Sequence, residues 1–296
     1  MSKLSENFGK TFIVTGEIAP PRGPKLDEFN HELEEIKKLM PKLHGVNVVD
    51  IPGSLLLMSS LAASIMLKQN GVEPIYQLVC RDRNMLALQA DLIGAAAFGI
   101  ENVLALAGDH PACKSSDHPT AKPVFDLDST TLTMAMKAMN QGKDITGREL
   151  NRATNFFVGA ALAPGATPLD GEIYKAKRKL NAGADFFQTQ TVFEPSLMEN
   201  FLDSYEKLIS EDLRDKVLVG LVPLYDYDMV QFLRTIPGII ISDETANKIK
   251  NASDPVEEGV NLVAGYIDMA KEIGLAGVHL MPAGKVEALV RLVEGL

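Results

Sequence analysis

Eight short apolar runs alternate with longer helical patterns along the chain, and this alternation limits the fold more than any other feature. The candidate strands are residues 11–17 (TFIVTGE), 45–49, 74–80, 102–107, 155–162, 185–190, 217–222 and 277–281. Apolar residues recur at helical spacing over 27–40, 55–70, 85–99, 129–141, 171–182, 195–210, 228–235 and 255–273. Near-continuous apolar strands imply burial on both faces, as in a parallel sheet covered by helices. Eight strands, each expected to lead into a helix, select a closed (βα)8 TIM barrel over an open doubly wound sheet. No Pro/Ser-rich linker divides residues 1–296, so one domain is expected.

Gly71, Gly99, Gly183 and Gly274 follow helical patterns, where the chain needs a left-handed turn. The most hydrophobic stretch, 55–67, is broken by Ser59, Ser60 and Ser64 and reads as a buried helix, short of membrane-spanning length. The formal net charge of -10 argues against nonspecific nucleic-acid binding, though a local basic pocket can still hold an anionic cofactor. Cys80 and Cys113 lie in no metal-ligand spacing, so no metal site is expected. Two isolated thiols and a start without an apolar h-region suggest a cytoplasmic protein.

In a barrel of this kind, chemistry gathers at the C-terminal strand ends. Those ends supply Glu17, Asp50, Gln77, Asp109, Gln188, Gln190 and His279. Glu17, in TGEIAPPR, is placed to donate a proton, or else simply pairs with Arg22 in solvent. Asp109 follows Gly108, whose lack of a side chain lets backbone approach a ligand; the same tetrapeptide also makes an ordinary turn. Gln190 offers a donor and an acceptor, to a ring edge or to a barrel neighbour. Lys175, Lys177, Arg178 and Lys179 share one helical pattern, fit either for a pyrophosphate or for a solvated helix face. His44, His110, His118 and His279 show no ligand spacing and read as surface or hydrogen-bonded core histidines. The twelve methionines read as core filler. The segment 108–128, with Pro111, Pro119 and Pro123, is a long irregular loop on the expected catalytic face. Neither GxGxxG nor a P-loop is present.

Five of these segments, in order, resemble the methylenetetrahydrofolate reductases: TGEIAPPR, PIYQLVC, NVLALAGDHP, AKPVFDLDS and KAKRKLNAGADFFQTQTVF. The resemblance runs from Thr11 to Phe193 and more weakly beyond. It implies an FAD-dependent oxidoreductase of one-carbon metabolism and methionine biosynthesis, reducing 5,10-methylenetetrahydrofolate to 5-methyltetrahydrofolate. It makes Glu17 the general acid, Asp109 the carboxylate that contacts pterin and tunes flavin, and Gln190 a substrate ligand. It puts Gln77, Gly108, Asp109, Phe125, Asp126, Arg178 and Lys179 on the flavin, together with Glu172, Lys175 and the strand-end Asp50. Ala107 stands where many members carry arginine, Gln77 where others carry histidine, and Met281–Gly284 departs from the usual last strand end. Relatives with CRDRN and GDHP work beside iron–sulfur partner subunits. The implied electron source is therefore NAD(P)H or a partner protein, in a homo-oligomer or hetero-complex. Two competitors are a flavin-binding regulatory subunit without turnover and a pterin-dependent methyltransferase barrel. Glu17 speaks against the first, and the lack of a Cys/His metal set against the second.

Overall fold

A computed structural model describes residues 1–296. Eight parallel strands close into one barrel in sequence order: β1 (Ile13–Ile18), β2 (Gly45–Val48), β3 (Pro74–Val79), β4 (Asn102–Leu106), β5 (Phe157–Leu162), β6 (Phe186–Thr191), β7 (Val217–Leu221) and β8 (Gly277–Leu280). Helices α1 (Lys3–Asn7), α2 (Asp27–Leu39), α3 (Ser60–Gln69), α4 (Met85–Ala97), α5 (Ser129–Asn140), α6 (Leu169–Asn181), α7 (Pro195–Ile209), α8 (Tyr227–Leu233), α9 (Asp243–Asn251), α10 (Pro255–Glu272) and α11 (Val286–Glu294) complete the chain. This is the expected (βα)8 TIM barrel. No helix is long and apolar enough to cross a membrane.

All eight strands fall within two residues of their expected bounds. Gly71, Gly99, Gly183 and Gly274 have positive φ, as the helix ends require. One expectation is corrected: residues 55–59 are not helical. Leu55 and Leu56 are exposed, and the Leu56 N–H is taken by the Asp117 carboxylate, so the helix begins only at Ser60. Three helices fall outside the helical ranges read from the sequence: α1, α9 and α11, the last being the helix expected after β8.

Inward-facing residues form layers along the barrel axis. The N-terminal layer is apolar. Leu4 of α1 seals it against Ile13, Ile75, Leu104, Phe186 and Leu218. Phe186 stacks on Phe157 at 5.2 Å between centroids, and Phe8 meets Phe157 edge-on at 5.4 Å. Gly159 makes room for this ring, because a Cβ there would stand 2.4 Å from Phe186 Cζ. Above this plug the interior turns polar, with Thr15, Asn47, Gln77, Gln188 and His279 all buried.

Candidate functional site

The polar layer opens on the C-terminal strand ends. Glu17 (β1), Asp109 (after β4) and Gln190 (β6) all lie at this end of the barrel. Register explains the first cluster: Thr15 pairs with His279 across β1 and β8, and Glu17 with Asn47 across β1 and β2. The Glu17 side chain is one-fifth exposed and its Oε2 lies 3.3 Å from Nε2 of His279, whose side chain is 1% exposed. His279 Nδ1 lies 3.2 Å from Asn47 Nδ2 and 3.1 Å from Thr15 Oγ1. Gln77 Nε2 donates to Asn47 Oδ1 at 3.2 Å. A continuous hydrogen-bonded chain thus runs from Gln77 through Asn47 and His279 to Glu17. The Arg22 partner considered for Glu17 is bound instead to Asp117, at 2.5 Å.

Glu32 of α2 is half-buried with no ion-pair partner. Its carboxyl is pushed up to about 7, by burial first and then by the charges of Glu17 and Glu287. Its neighbourhood therefore disfavours a further negative charge beside Glu17.

On the β2–β4 side, side chains are spent on holding loops. Asp50 is fully buried, accepts the Val79 N–H at 2.9 Å and takes two hydrogen bonds from Arg83. Arg81 is 1% exposed and donates to the carbonyls of Ile51 and Asp109, both at 3.1 Å, and to Asp82. It therefore fixes the backbone of the Asp109 loop while leaving the Asp109 side chain exposed. Gly108 has φ +88, and a Cβ there would stand 2.3 Å from Val79 Cγ1, so glycine is required on packing and on backbone grounds. The loop 108–128 is strapped to its neighbours through Asp117, which binds Arg22, His118 and the Leu56 N–H. Those hydrogen bonds, the one from His118 foremost, hold the Asp117 carboxyl down to about 2.

Backbone strain concentrates at the same end. Of five non-glycine residues with positive φ, Ile51, Ser54, Phe125 and Ala283 lie on strand-end loops; Ser210 alone ends a helix. Such strain is costly and gathers at ligand sites. Phe125 is also exposed, and Asp126 Oδ2 accepts the Met85 N–H.

On β6 the register shifts between Gln188 and Thr191, and Thr189 Oγ1 takes the Gly220 N–H at 2.8 Å in place of a ladder bond. Gln188 Oε1, Gln190 Oε1 and Thr191 Oγ1 are buried without a partner. The Gln190 amide nitrogen reaches only the Pro237 carbonyl, at 3.4 Å.

The cation run on α6 comes apart. Lys177 binds Glu211 at 2.5 Å, while buried Lys179 donates to the Ala161 carbonyl at 2.6 Å. Glu172 is buried and accepts the Ala163 N–H. Lys175, 3.7 Å from Glu172, and Arg178 remain exposed. A surface groove of about 550 Å³ is at the other end of the barrel, lined by Ile93, Gly99, Leu150, Arg152 and Asn155 among others. It carries polar groups of its own, among them Glu101, Arg152 and Asn155, but none of the strained non-glycine backbone of the strand ends, which are the better candidate site.

His279, expected as a strand-end polar group and as a surface or hydrogen-bonded core histidine, is buried and hydrogen-bonded at the strand end, while Thr15, Asn47, Arg81 and Glu32 are not foreseen from the sequence. The available signal was strand alternation, which turns Thr15, Asn47 and His279 inward like Glu17 and Gln77.

These features define a TIM barrel with an acid–histidine pair at the β1/β8 strand ends and a polar interior below it. The chain belongs to the methylenetetrahydrofolate reductase family, whose model matches residues 3–296. It is 20% identical to the Escherichia coli 5,10-methylenetetrahydrofolate reductase, over 93% of this chain and 87% of that protein. A probable methylenetetrahydrofolate reductase (NADPH) of Caenorhabditis elegans is 28% identical over 68% of this chain and 28% of its own length. Methylenetetrahydrofolate reductase 2 of Schizosaccharomyces pombe is 21% identical over 90% of this chain and 41% of its own. The chain thus spans less than half of these two eukaryotic relatives. Among solved structures, a Clostridium thermocellum protein described as binding two copies of 5-methyl-5,6,7,8-tetrahydrofolic acid superposes with a TM-score of 0.67 at 16% identity, covering 99% of this chain and 98% of that one. A 2,3-dimethylmalate lyase superposes at 0.53, which reflects the shared barrel.

Proposed function

We propose that this protein reduces 5,10-methylenetetrahydrofolate to 5-methyltetrahydrofolate with FAD as cofactor. The observation that carries the reading is Glu17, one-fifth exposed at the barrel mouth and hydrogen-bonded to a buried histidine. Family membership, the printed activities of the relatives and the folate ligand of the clostridial neighbour support it.

The mouth has the chemistry to take a flavin. Unpartnered buried oxygens on Gln188 and Gln190 await a donor, and Gly108 brings backbone close to the strand ends. Gln77, Gly108, Asp109, Phe125, Asp126, Lys175 and Arg178 would hold the cofactor, while Asp50, Glu172 and Lys179 shape the wall behind it. When bound, the flavin supplies the hydride. The protein's own residues prepare the folate. Glu17 gives a proton to N10 as the bond between N10 and the bridging carbon breaks, leaving a methylene iminium at N5. Asp109 and Gln190 orient the pterin ring by accepting and donating hydrogen bonds. Hydride addition to the iminium carbon then makes the methyl group. Electrons come from NAD(P)H or from an electron-transfer partner.

The test is anaerobic. Protein loaded with FAD and reduced should be reoxidised by methylenetetrahydrofolate with formation of 5-methyltetrahydrofolate. Protein that takes up no flavin, or whose reduced flavin ignores the folate, rejects the reading. Reduction by NADH, NADPH and a low-potential carrier, compared side by side, assigns the donor.

A further inference from the structure

The chain of bonds behind Glu17 has a direction, and its direction is set at Asn47. We propose that Asn47 is a positioning residue that fixes the tautomer of His279, so that the histidine serves Glu17 as a hydrogen-bond donor. This rests on the proposed role of Glu17 as the acid.

The amide of Asn47 is buried in β2 and is used at both ends. Its oxygen accepts from Gln77 Nε2 at 3.2 Å, which leaves its nitrogen, a pure donor, facing His279 Nδ1 at 3.2 Å. Two N–H groups cannot face each other, so Nδ1 must offer its lone pair and the ring proton sits on Nε2. The Thr15 hydroxyl lies 3.1 Å from the same Nδ1 and 3.4 Å from the Val278 carbonyl; its one proton goes to one or the other, so it does not set the tautomer and the Asn47 amide does. Nε2–H then points at Glu17 Oε2, 3.3 Å away.

The consequence is chemical. With Nε2 a donor, protonated Glu17 keeps its proton on its other oxygen, free for the folate nitrogen. The bond from Nε2–H strengthens as negative charge develops on the carboxylate, so it favours the transition state over the ground state. With the other tautomer, Nε2 would carry a lone pair and compete with the substrate for Glu17's proton. The same amide couples Gln77, on the flavin side of the mouth, to the acid.

Nitrogen-15 spectra of the histidines test this, with the His279 signal assigned by its loss in His279→Gln. In the unaltered protein Nε2 should be protonated and Nδ1 bare. Asn47→Asp replaces the donor by an acceptor of the same shape and keeps the partner for Gln77; it should place a proton on Nδ1. That variant should slow flavin reoxidation by methylenetetrahydrofolate about 100-fold, with reduction of the flavin by its electron donor unchanged. A protonated Nδ1 in the unaltered protein overturns the inference, even if Asn47→Asp does not fold. So does a protonated Nδ1 in Asn47→Asp with folate-dependent reoxidation at full speed. If the unaltered protein reduces no folate, the reaction proposed above fails, while the spectra still decide the tautomer.

Discussion

The two ends of the barrel solve opposite problems. At the N-terminal end Leu4, Phe157 and Phe186 fill the interior, and a glycine is used to fit a ring. At the C-terminal end the interior carries a hydrogen-bonded chain, three buried oxygens without partners and most of the molecule's strained backbone. Burying unsatisfied polar atoms costs stability, whereas close-packed rings contribute to it. The difference teaches that the plug supplies the rigidity on which an unsatisfied mouth depends.

Substitutions separate the two ends, beginning with the largest effect. Glu17→Gln should lower folate-driven reoxidation of the reduced flavin by about 10²–10⁴-fold, read by stopped flow. Its urea midpoint should stay near that of the unaltered protein. Phe186→Ala should do the reverse, costing about 3–5 kcal/mol in urea unfolding while any folded fraction keeps its folate half-reaction. Equal loss of activity and stability in both variants would abolish the contrast.

Lys179→Ala sharpens the boundary between them. Its ammonium is buried and its charged form is disfavoured by that burial, yet it donates to the Ala161 carbonyl. Removing it should cost about 1–3 kcal/mol by leaving that carbonyl without a partner, seen in thermal or urea unfolding. Flavin titration of the same variant shows whether the lysine also reaches the cofactor. Unchanged stability would return Lys179 to a purely ligand-facing role.

Glu32 gives an effect that depends on pH. Its carboxyl binds a proton up to about 7 when folded but only to the usual 4.5 when unfolded. The folded state therefore binds more protons across that window, and stability falls as pH rises from about 4.5 to about 7. Glu32→Gln should raise the melting temperature at pH 8 and leave it unchanged at pH 4. A variant that melts alike to the unaltered protein at both values would remove Glu32 from the mouth's electrostatics.

The strands were legible because buried parallel strands carry contiguous apolar residues, as in residues 217–222 and 102–107. Helix α11 has an equally readable pattern in VEALVRLVE, but it follows the last strand, where no further strand marks its far end. The polar α9 is announced mainly by its Ser242 cap. In the site, Glu17, Asp109 and Gln190 were legible as strand-end polar groups. Asp50 and Lys179 were legible as residues but not as the backbone-bound groups they are, since sequence does not say which carbonyl or N–H will claim a charge. Asn47 was hidden for the same reason: in GVNVV it reads as one polar residue in an apolar strand, and its meaning comes from β8, more than two hundred residues away.

The contact between Gln190 and the Pro237 carbonyl has its own consequence. The amide nitrogen is already occupied, loosely, by the backbone just before Gly238, so an incoming acceptor would take over that bond, while the unpartnered amide oxygen is open to an incoming donor. The net gain from that exchange is the difference between two hydrogen bonds, a fraction of either. What the exchange would remove is the side-chain hold of β6 on residues 237–238, which still pack against Gly165. An acceptor arriving at the Gln190 nitrogen and the Pro237 carbonyl compete for one bond.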